Sequence, residues 1–198
     1  MAEKDESNDI NYKVVLLGDT KVGKTSILNY IISGETYSDP TSTIGPNYNK
    51  YAVNVENKTI YLQIWDTAGQ EQYMSLTPLY LRGSKASVIV YDVTQQITFD
   101  NIPKWMNLLK QNDCNGEIFI VGNKIDMRQN RVIDIEKAQD FAKENKCHYV
   151  ETSARTGENI ILLVNFVATT LYKEKSVCQP EVEQRLVPNQ TRQKDCCI

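Results

Sequence analysis

Apolar and polar positions along the chain follow two rhythms. Short, largely apolar runs at Lys13 to Leu17, Lys85 to Asp92, Ile118 to Asn123 and His148 to Glu151 have the length of buried strands. Between them, apolar residues recur at helical spacing on one side only: Ile102, Trp105 and Leu109; Ile135, Ala138, Phe141 and Ala142; Ile160, Leu163, Val164, Val167 and Leu171. Strands alternating with such helices predict βα units around a mostly parallel sheet, each helix laying its apolar face on it. Residues Tyr48 to Val55 and Thr59 to Trp65 behave differently. They flank a polar link, Glu56-Asn57-Lys58, and the second alternates Ile60, Leu62 and Ile64 against Tyr61 and Gln63. That pattern predicts a hairpin adding one antiparallel edge strand.

The periodicity stops near Lys175, where Pro180, Pro188, glutamines and charges take over, so residues 175–198 are expected to be a disordered tail. Residues 1–11 are expected to be a flexible N-terminus, leaving 12–174 as one domain. A length of 198 residues with 41% apolar and 24% charged positions suits a single globular core. The net charge of -3 offers no broad basic surface, and no nucleic-acid partner is expected. The opening MAEKDESNDIN is polar and acidic, unlike a secretory signal, and no apolar run approaches the roughly 20 residues of a membrane-spanning helix. Cysteines at 114, 147, 178, 196 and 197 lack metal-ligand spacing and read as reduced cytosolic thiols.

The candidate chemistry sits where strands end. Gly18-Asp19-Thr20-Lys21-Val22-Gly23-Lys24-Thr25 fits the phosphate-binding pattern GxxxxGK[ST], directly after a strand and opening a helix that continues through Ser26. Its glycines let the backbone curl with N–H groups inward, at a helix N-terminus that already favours anions. Lys24 adds a positive charge for β- and γ-phosphates, and the Thr25 hydroxyl is a ligand for Mg²⁺. Asp66 also follows a strand, from which a carboxylate reaches the hydration shell of that metal. Gly69 allows a backbone N–H near the γ-phosphate, and Gln70, with one donor and one acceptor, suits orientation of an attacking water. Asp126, in Asn123-Lys124-Ile125-Asp126, offers two acceptors to the N1–H and 2-amino group of guanine; adenine has no such pair. Glu151-Thr152-Ser153-Ala154-Arg155 puts small residues where a loop backbone approaches the base.

The ordered series GDTKVGKT, STIG, WDTAGQE, NKID and ETSA, spread over residues about 12 to 173, resembles the Ras-type small GTPases. YLQIWDTAG, AGQEQY, YLRGS and VYDVT resemble the Rab branch more narrowly, and AGQEQYMSLTPLYLRGS leans toward its early-endosomal subgroup. The resemblance implies an α/β fold of the P-loop NTPase kind: a three-layer sandwich with a mostly parallel six-stranded sheet, one antiparallel edge strand and helices on both faces. It implies a monomeric G domain that binds GTP and GDP with Mg²⁺, hydrolyses GTP slowly and switches effector binding to regulate vesicle trafficking. By the same resemblance Thr43 joins Thr25 on the metal, and Asp66 acts on it through water. Ala154 gives its N–H to the guanine oxygen, flanked by Ser153 and Arg155. Asn123 braces the loops, Lys124 lies along the base and Tyr37 covers its open side. Ile44, Gly45, Tyr48, Trp65 and Tyr80 match the effector-contacting surface, although the three aromatics would equally serve to pack the sheet edge. Implied partners are an exchange factor, a GTPase-activating protein, effectors, an escort protein and a GDP-dissociation inhibitor.

Several positions depart from the family pattern. Thr20 and Lys21 stand where small residues are usual and crowd the γ-phosphate; Pro46-Asn47-Tyr48 replaces a more typical Val-Asp-Phe, Gln72 an arginine and Arg155 a lysine. An ATP-dependent P-loop enzyme such as a small kinase is the rival class, opposed by NKID and ETSA. A nucleotide-bound scaffold without turnover is a second, opposed by Gln70. Asp195 occupies the position where a CaaX box needs cysteine, so the ending Lys194-Asp195-Cys196-Cys197-Ile198 resembles instead the Rab arrangement in which Cys196 and Cys197 carry geranylgeranyl groups. The expected location is the cytoplasmic face of endosomal or other vesicle membranes, in exchange with cytosol.

Overall fold

A computed structural model of the chain describes residues 10–35, 47–66 and 80–177, the side chains of 47 and 175–177 excepted. Among these residues, six strands form one sheet: β1 (Ile10–Leu17), β2 (Asn47–Val55), β3 (Lys58–Asp66), β4 (Ala86–Asp92), β5 (Glu117–Asn123) and β6 (His148–Thr152). Their order is β2-β3-β1-β4-β5-β6, with β2 antiparallel to β3 and every other neighbouring pair parallel. The helices are α1 (Lys24–Ser33), α2 (Gln96–Asp100), α3 (Ile102–Gln111), α4 (Ile135–Glu144) and α5 (Ile160–Val177).

Successive side chains of a strand point to opposite faces, so each uniformly apolar strand supplies two cores. Val14, Leu16, Val88, Val90, Phe119 and Val121 meet Ile27, Leu28 and Ile31 of α1 and Ile160, Leu163, Val164 and Val167 of α5. Their neighbours Val15, Leu17, Ile89, Tyr91 and Ile120 meet Ile102, Trp105, Met106 and Leu109 of α3 and Ala138 and Ala142 of α4. Full burial of one such aliphatic side chain contributes about 1.5 to 3 kcal/mol. Helices therefore cover both faces, the three layers expected from the sequence. No helix among the described residues is long and apolar enough to cross a membrane.

Element ends differ from the sequence reading. β1 begins at Ile10, where Ile10 pairs with Ile60 and Asn11 with Tyr61, so the expected flexible stretch to residue 11 gives up its last two residues to ladder pairing. The hairpin link is two residues long: Val55 pairs with Lys58 while Glu56 and Asn57 turn with φ of 47° and 62°. Positive φ at both positions matches the twist of the flanking strands. α5 continues to Val177, beyond the expected domain end at 174.

The parallel register decides where the loops gather. Leu16 lies opposite Asp66, Asp92 opposite Asn123 and Asn123 opposite Thr152, so five strands end at the same edge of the sheet. In open α/β sheets ligands occupy the crevice outside this carboxyl edge. Its buried polar residues include Lys24, Asp66, Asp92, Thr98, Asn123, Thr152 and Ser153.

Candidate functional site

The chain leaves β1 at Gly18, curls through residues 18–23 and enters α1 at Lys24. Gly18 has φ of 133°, and a Cβ there would lie 2.1 Å from the Val90 carbonyl oxygen; Gly23 has φ of 101°, and a Cβ there would lie 2.3 Å from Asn123 Nδ2. Only glycine fits either place. Val22 is buried and Thr20 and Lys21 are exposed on the crest, Lys21 with φ of 65° despite its side chain. Lys24 turns its ammonium into the loop, donating to the carbonyls of Gly18 (2.8 Å) and Asp19 (2.7 Å). Burial pushes this amine down to about 8, opposed by the carboxylates of Asp66 and Asp19. Thr25 Oγ1 donates to Asp66 Oδ2 at 2.5 Å, while Ser26 is exposed. Asp66 is fully buried, its Oδ1 has no hydrogen-bond partner among the described residues, and burial raises its pKa against the opposing effects of Thr25 and Lys24.

Side chains from distant segments hold this loop from outside. Asn123 Nδ2 donates to the Val22 carbonyl at 2.8 Å. Lys124 Nζ donates to the Lys21 carbonyl at 2.8 Å and pairs with Asp92 Oδ2 at 2.6 Å. Asp19 Oδ2 accepts from Asn101 Nδ2 (2.7 Å) and Oδ1 from Trp105 Nε1 (3.0 Å).

The same Asn123 reaches the other way. Its Oδ1 accepts from the Ala154 N–H (3.0 Å) and Thr152 Oγ1 (3.3 Å). Ser153 Oγ donates to Asp126 Oδ1 at 2.6 Å and accepts from the Thr156 N–H, while Arg155 Nη1 stands 3.9 Å from Asp126 Oδ2. The Ala154 N–H, expected from the family resemblance to meet a base oxygen, here donates to the buried amide oxygen of Asn123. A base oxygen at this position would have to share it. Gly157 follows with φ of 81°, and a Cβ there would fall 1.9 Å from Tyr30 Oη, so α1 touches this loop directly.

Tyr48, Trp65 and Tyr80 form a contiguous row, with ring centroids 5.1 Å apart for Tyr48–Trp65 and 5.9 Å for Trp65–Tyr80. Tyr48 is exposed. Tyr37, Thr43, Ile44, Gly45, Gly69, Gln70, Cys196 and Cys197 lie outside the described residues.

The sequence model of the Ras family matches residues 13–173, which spans β1 through the middle of α5. A relative, Ras-related protein rab-11.1 of Caenorhabditis elegans, is 37% identical over 177 residues, covering 89% of this chain and 84% of the relative. The chain belongs to the Ras family, on its Rab branch. It is thus a Rab-type small GTPase, which hydrolyses GTP to GDP and phosphate and regulates vesicle trafficking. Ras-like GTPases generally use Mg²⁺ with the nucleotide, and Rab proteins work with exchange factors, GTPase-activating proteins and effectors.

Sequence reasoning about this Rab-type chain missed three residues at the loop. Asp92 had a signal, since it closes apolar β4 as Asp66 closes β3, and only the pairing with Lys124 was hidden. Asn101 and Trp105 had none, because Trp105 reads as part of an apolar helix face. Gly18→Ala should cost about 2 to 4 kcal/mol of stability and release bound GDP faster, since the added methyl meets a backbone oxygen of β4 at a strained φ. Denaturant unfolding together with GDP-release kinetics checks this; a midpoint and release rate equal to those of the unsubstituted protein would contradict the loop geometry.

Proposed function

We propose that GTP and GDP bind across the carboxyl edge of the sheet, phosphates in the loop 18–25 and guanine between Lys124, Asp126 and residues 153–155. The observation that carries this reading is the Asn123 brace, which ties the phosphate loop at Val22 and the ETSA loop at Ala154 to one buried side chain. A ligand with phosphates at one end and a planar base at the other suits two loops held at fixed separation. Gly18 to Ser26 would surround the phosphates, Lys24 supplying charge and Asp19, Thr20, Lys21 and Val22 the backbone. Loss of the positive end of this site would be felt first at the β- and γ-phosphates.

The residues present fit Mg²⁺. Thr25 Oγ1 and Asp66 are an all-oxygen donor set, and the buried Asp66 Oδ1 has a free acceptor among the described residues. Thr25 and Thr43 would hold the ion directly and Asp66 through water. When bound, Mg²⁺ neutralises charge on the β- and γ-phosphates. The rest of the chemistry falls to the chain: Gln70 orients water on the γ-phosphate, Gly69 and Thr43 sense that phosphate, and Ile44, Gly45, Tyr48, Trp65 and Tyr80 present the state to effectors.

Asp126 would read guanine through both carboxylate oxygens, with Ser153 fixing the carboxylate plane, Lys124 alongside the base, Arg155 and the Ala154 backbone at its edge and Tyr37 across its open side. The endocytic assignment rests on the stretch 68–84, AGQEQYMSLTPLYLRGS, and its resemblance to early-endosomal Rabs. Cys196 and Cys197 would carry two geranylgeranyl groups, because one lipid chain binds a bilayer only marginally and the tail's charges nearly cancel. Escort and GDP-dissociation-inhibitor proteins would then shield the lipids as the protein exchanges between membrane and cytosol.

Asp126→Asn should exchange guanine for xanthine preference by about a hundredfold, since an amide donor now faces the 2-position; competition binding reads it, and unchanged GDP preference would remove Asp126 from base reading. Gln70→Leu should keep GTP affinity while slowing single-turnover hydrolysis at least about tenfold. Equal turnover would refute its role. In eukaryotic cells, Cys196→Ser/Cys197→Ser should move the chain from the membrane fraction to the soluble one, and a double variant still sedimenting with membranes would exclude this anchor.

A further inference from the structure

Asn101 stands at the N-cap of α3, a position where an asparagine side chain ordinarily accepts from a first-turn amide. It makes no such cap here. Its Nδ2 instead donates, across 82 residues of sequence, to Asp19 Oδ2 at 2.7 Å. Trp105, four residues on and so on the same side of the helix, donates its Nε1 to the other oxygen, Asp19 Oδ1, at 3.0 Å. The indole is buried, with 7% exposure, among residues that include Met106, Leu109, Val15 and Leu17, so its direction is set by the core. Asp19 thus has one donor on each carboxylate oxygen, from the N-cap and the first turn of α3. Hydrogen bonds to an ionised carboxylate are stronger than those between neutral groups.

Asp19 also accepts Lys24 Nζ at its own backbone carbonyl, 2.7 Å away, next to the Gly18 carbonyl that accepts the same ammonium. The side chain and the carbonyl of one residue therefore join α3 to the lysine of the phosphate loop. α2, immediately before, is fixed in turn to the carboxyl edge: Thr98 Oγ1 receives the Asp92 N–H at 3.0 Å, and Asp92 pairs with Lys124. The segment leading into the clamp is thus tied to the end of β4.

We propose that Asn101 and Trp105 are positioning residues for nucleotide binding, which grip both oxygens of Asp19 and so fix the loop carbonyls that aim Lys24. This rests on the reading of residues 18–25 as the phosphate site. Neither side chain touches nucleotide; each acts through Asp19. Disturbing the clamp loosens one strand of the phosphate cradle and raises the rate at which nucleotide leaves.

Release of a fluorescent GDP from the full-length, Mg²⁺-loaded protein tests it. Asn101→Asp sets a second carboxylate against Asp19 and should speed release about thirtyfold, and Trp105→Phe, which keeps the ring and loses the N–H, about threefold to tenfold. The combined Asp19→Asn/Asn101→Asp variant exchanges donor and acceptor while leaving an oxygen for Trp105, and should recover most of the loss. Damage to the helix alone would not be repaired by that exchange, so a combined variant as fast as Asn101→Asp overturns the proposal. So do release rates within twofold of the unsubstituted protein for both single variants. Lys24→Ala, measured beside them, separates the two readings. If it loses GDP while the clamp variants release normally, this inference alone falls; if it retains GDP, the phosphate-loop reading falls and this one with it.

Discussion

Asn123 ends β5 with its side chain 1% exposed, where water cannot complete its hydrogen bonds. Its amide therefore has to find protein partners, and it finds them in three directions: the Val22 carbonyl, the Ala154 N–H and the Thr152 hydroxyl. A buried polar group left without its partner costs about 1 to 3 kcal/mol, so each of these bonds constrains the loop that makes it. The close approach of Nδ2 also excludes any side chain at Gly23. The phosphate loop and the ETSA loop are far apart in sequence, and this one amide, placed by a strand with parallel partners on both sides, gives them a common reference.

Charge is arranged around that reference. Lys24 and Lys124 each touch a carbonyl of the phosphate loop, and Asp66 and Asp92 stand behind them as buried carboxylates at the ends of β3 and β4. Burial disfavours the ionised forms of both Lys24 and Asp66. An anion beside the lysine and a cation beside the aspartate would each restore the charged form, which is the chemistry of a nucleotide bound with a metal ion. The loop is fixed from two places, by Asn101 at the N-cap of α3 and by Asn123 and Lys124 at the end of β5.

Local features of the chain were readable before any coordinates. The turn from β1 into α1 shows in the spacing of Gly18, Gly23 and Lys24 because its constraints act within eight residues; the strands show in runs such as residues 118–123 because both faces are buried. Contacts between segments distant in sequence were not readable. Nothing near Asn101 announces Asp19, since their meeting depends on which strand neighbours β1, and Trp105 has the same apolar signature whether or not its N–H is used. The start of β1 was misplaced for a related reason: Ile10 and Asn11 are strand because β3 offers partners, not because of their own pattern. The bond from the Ala154 N–H to Asn123 is of the same kind, since it joins two segments 31 residues apart.

The dependence of both ends of the site on Asn123 can be measured directly with Asn123→Ala, by the equilibrium affinity of the folded variant for GDP and, separately, for inorganic pyrophosphate. Three partners lose their bond at once, and the account predicts weaker binding of GDP by at least about a hundredfold, with pyrophosphate weakened as well because Val22 is released. Affinities for both ligands within threefold of the unsubstituted protein, at unchanged fold by circular dichroism, would contradict it.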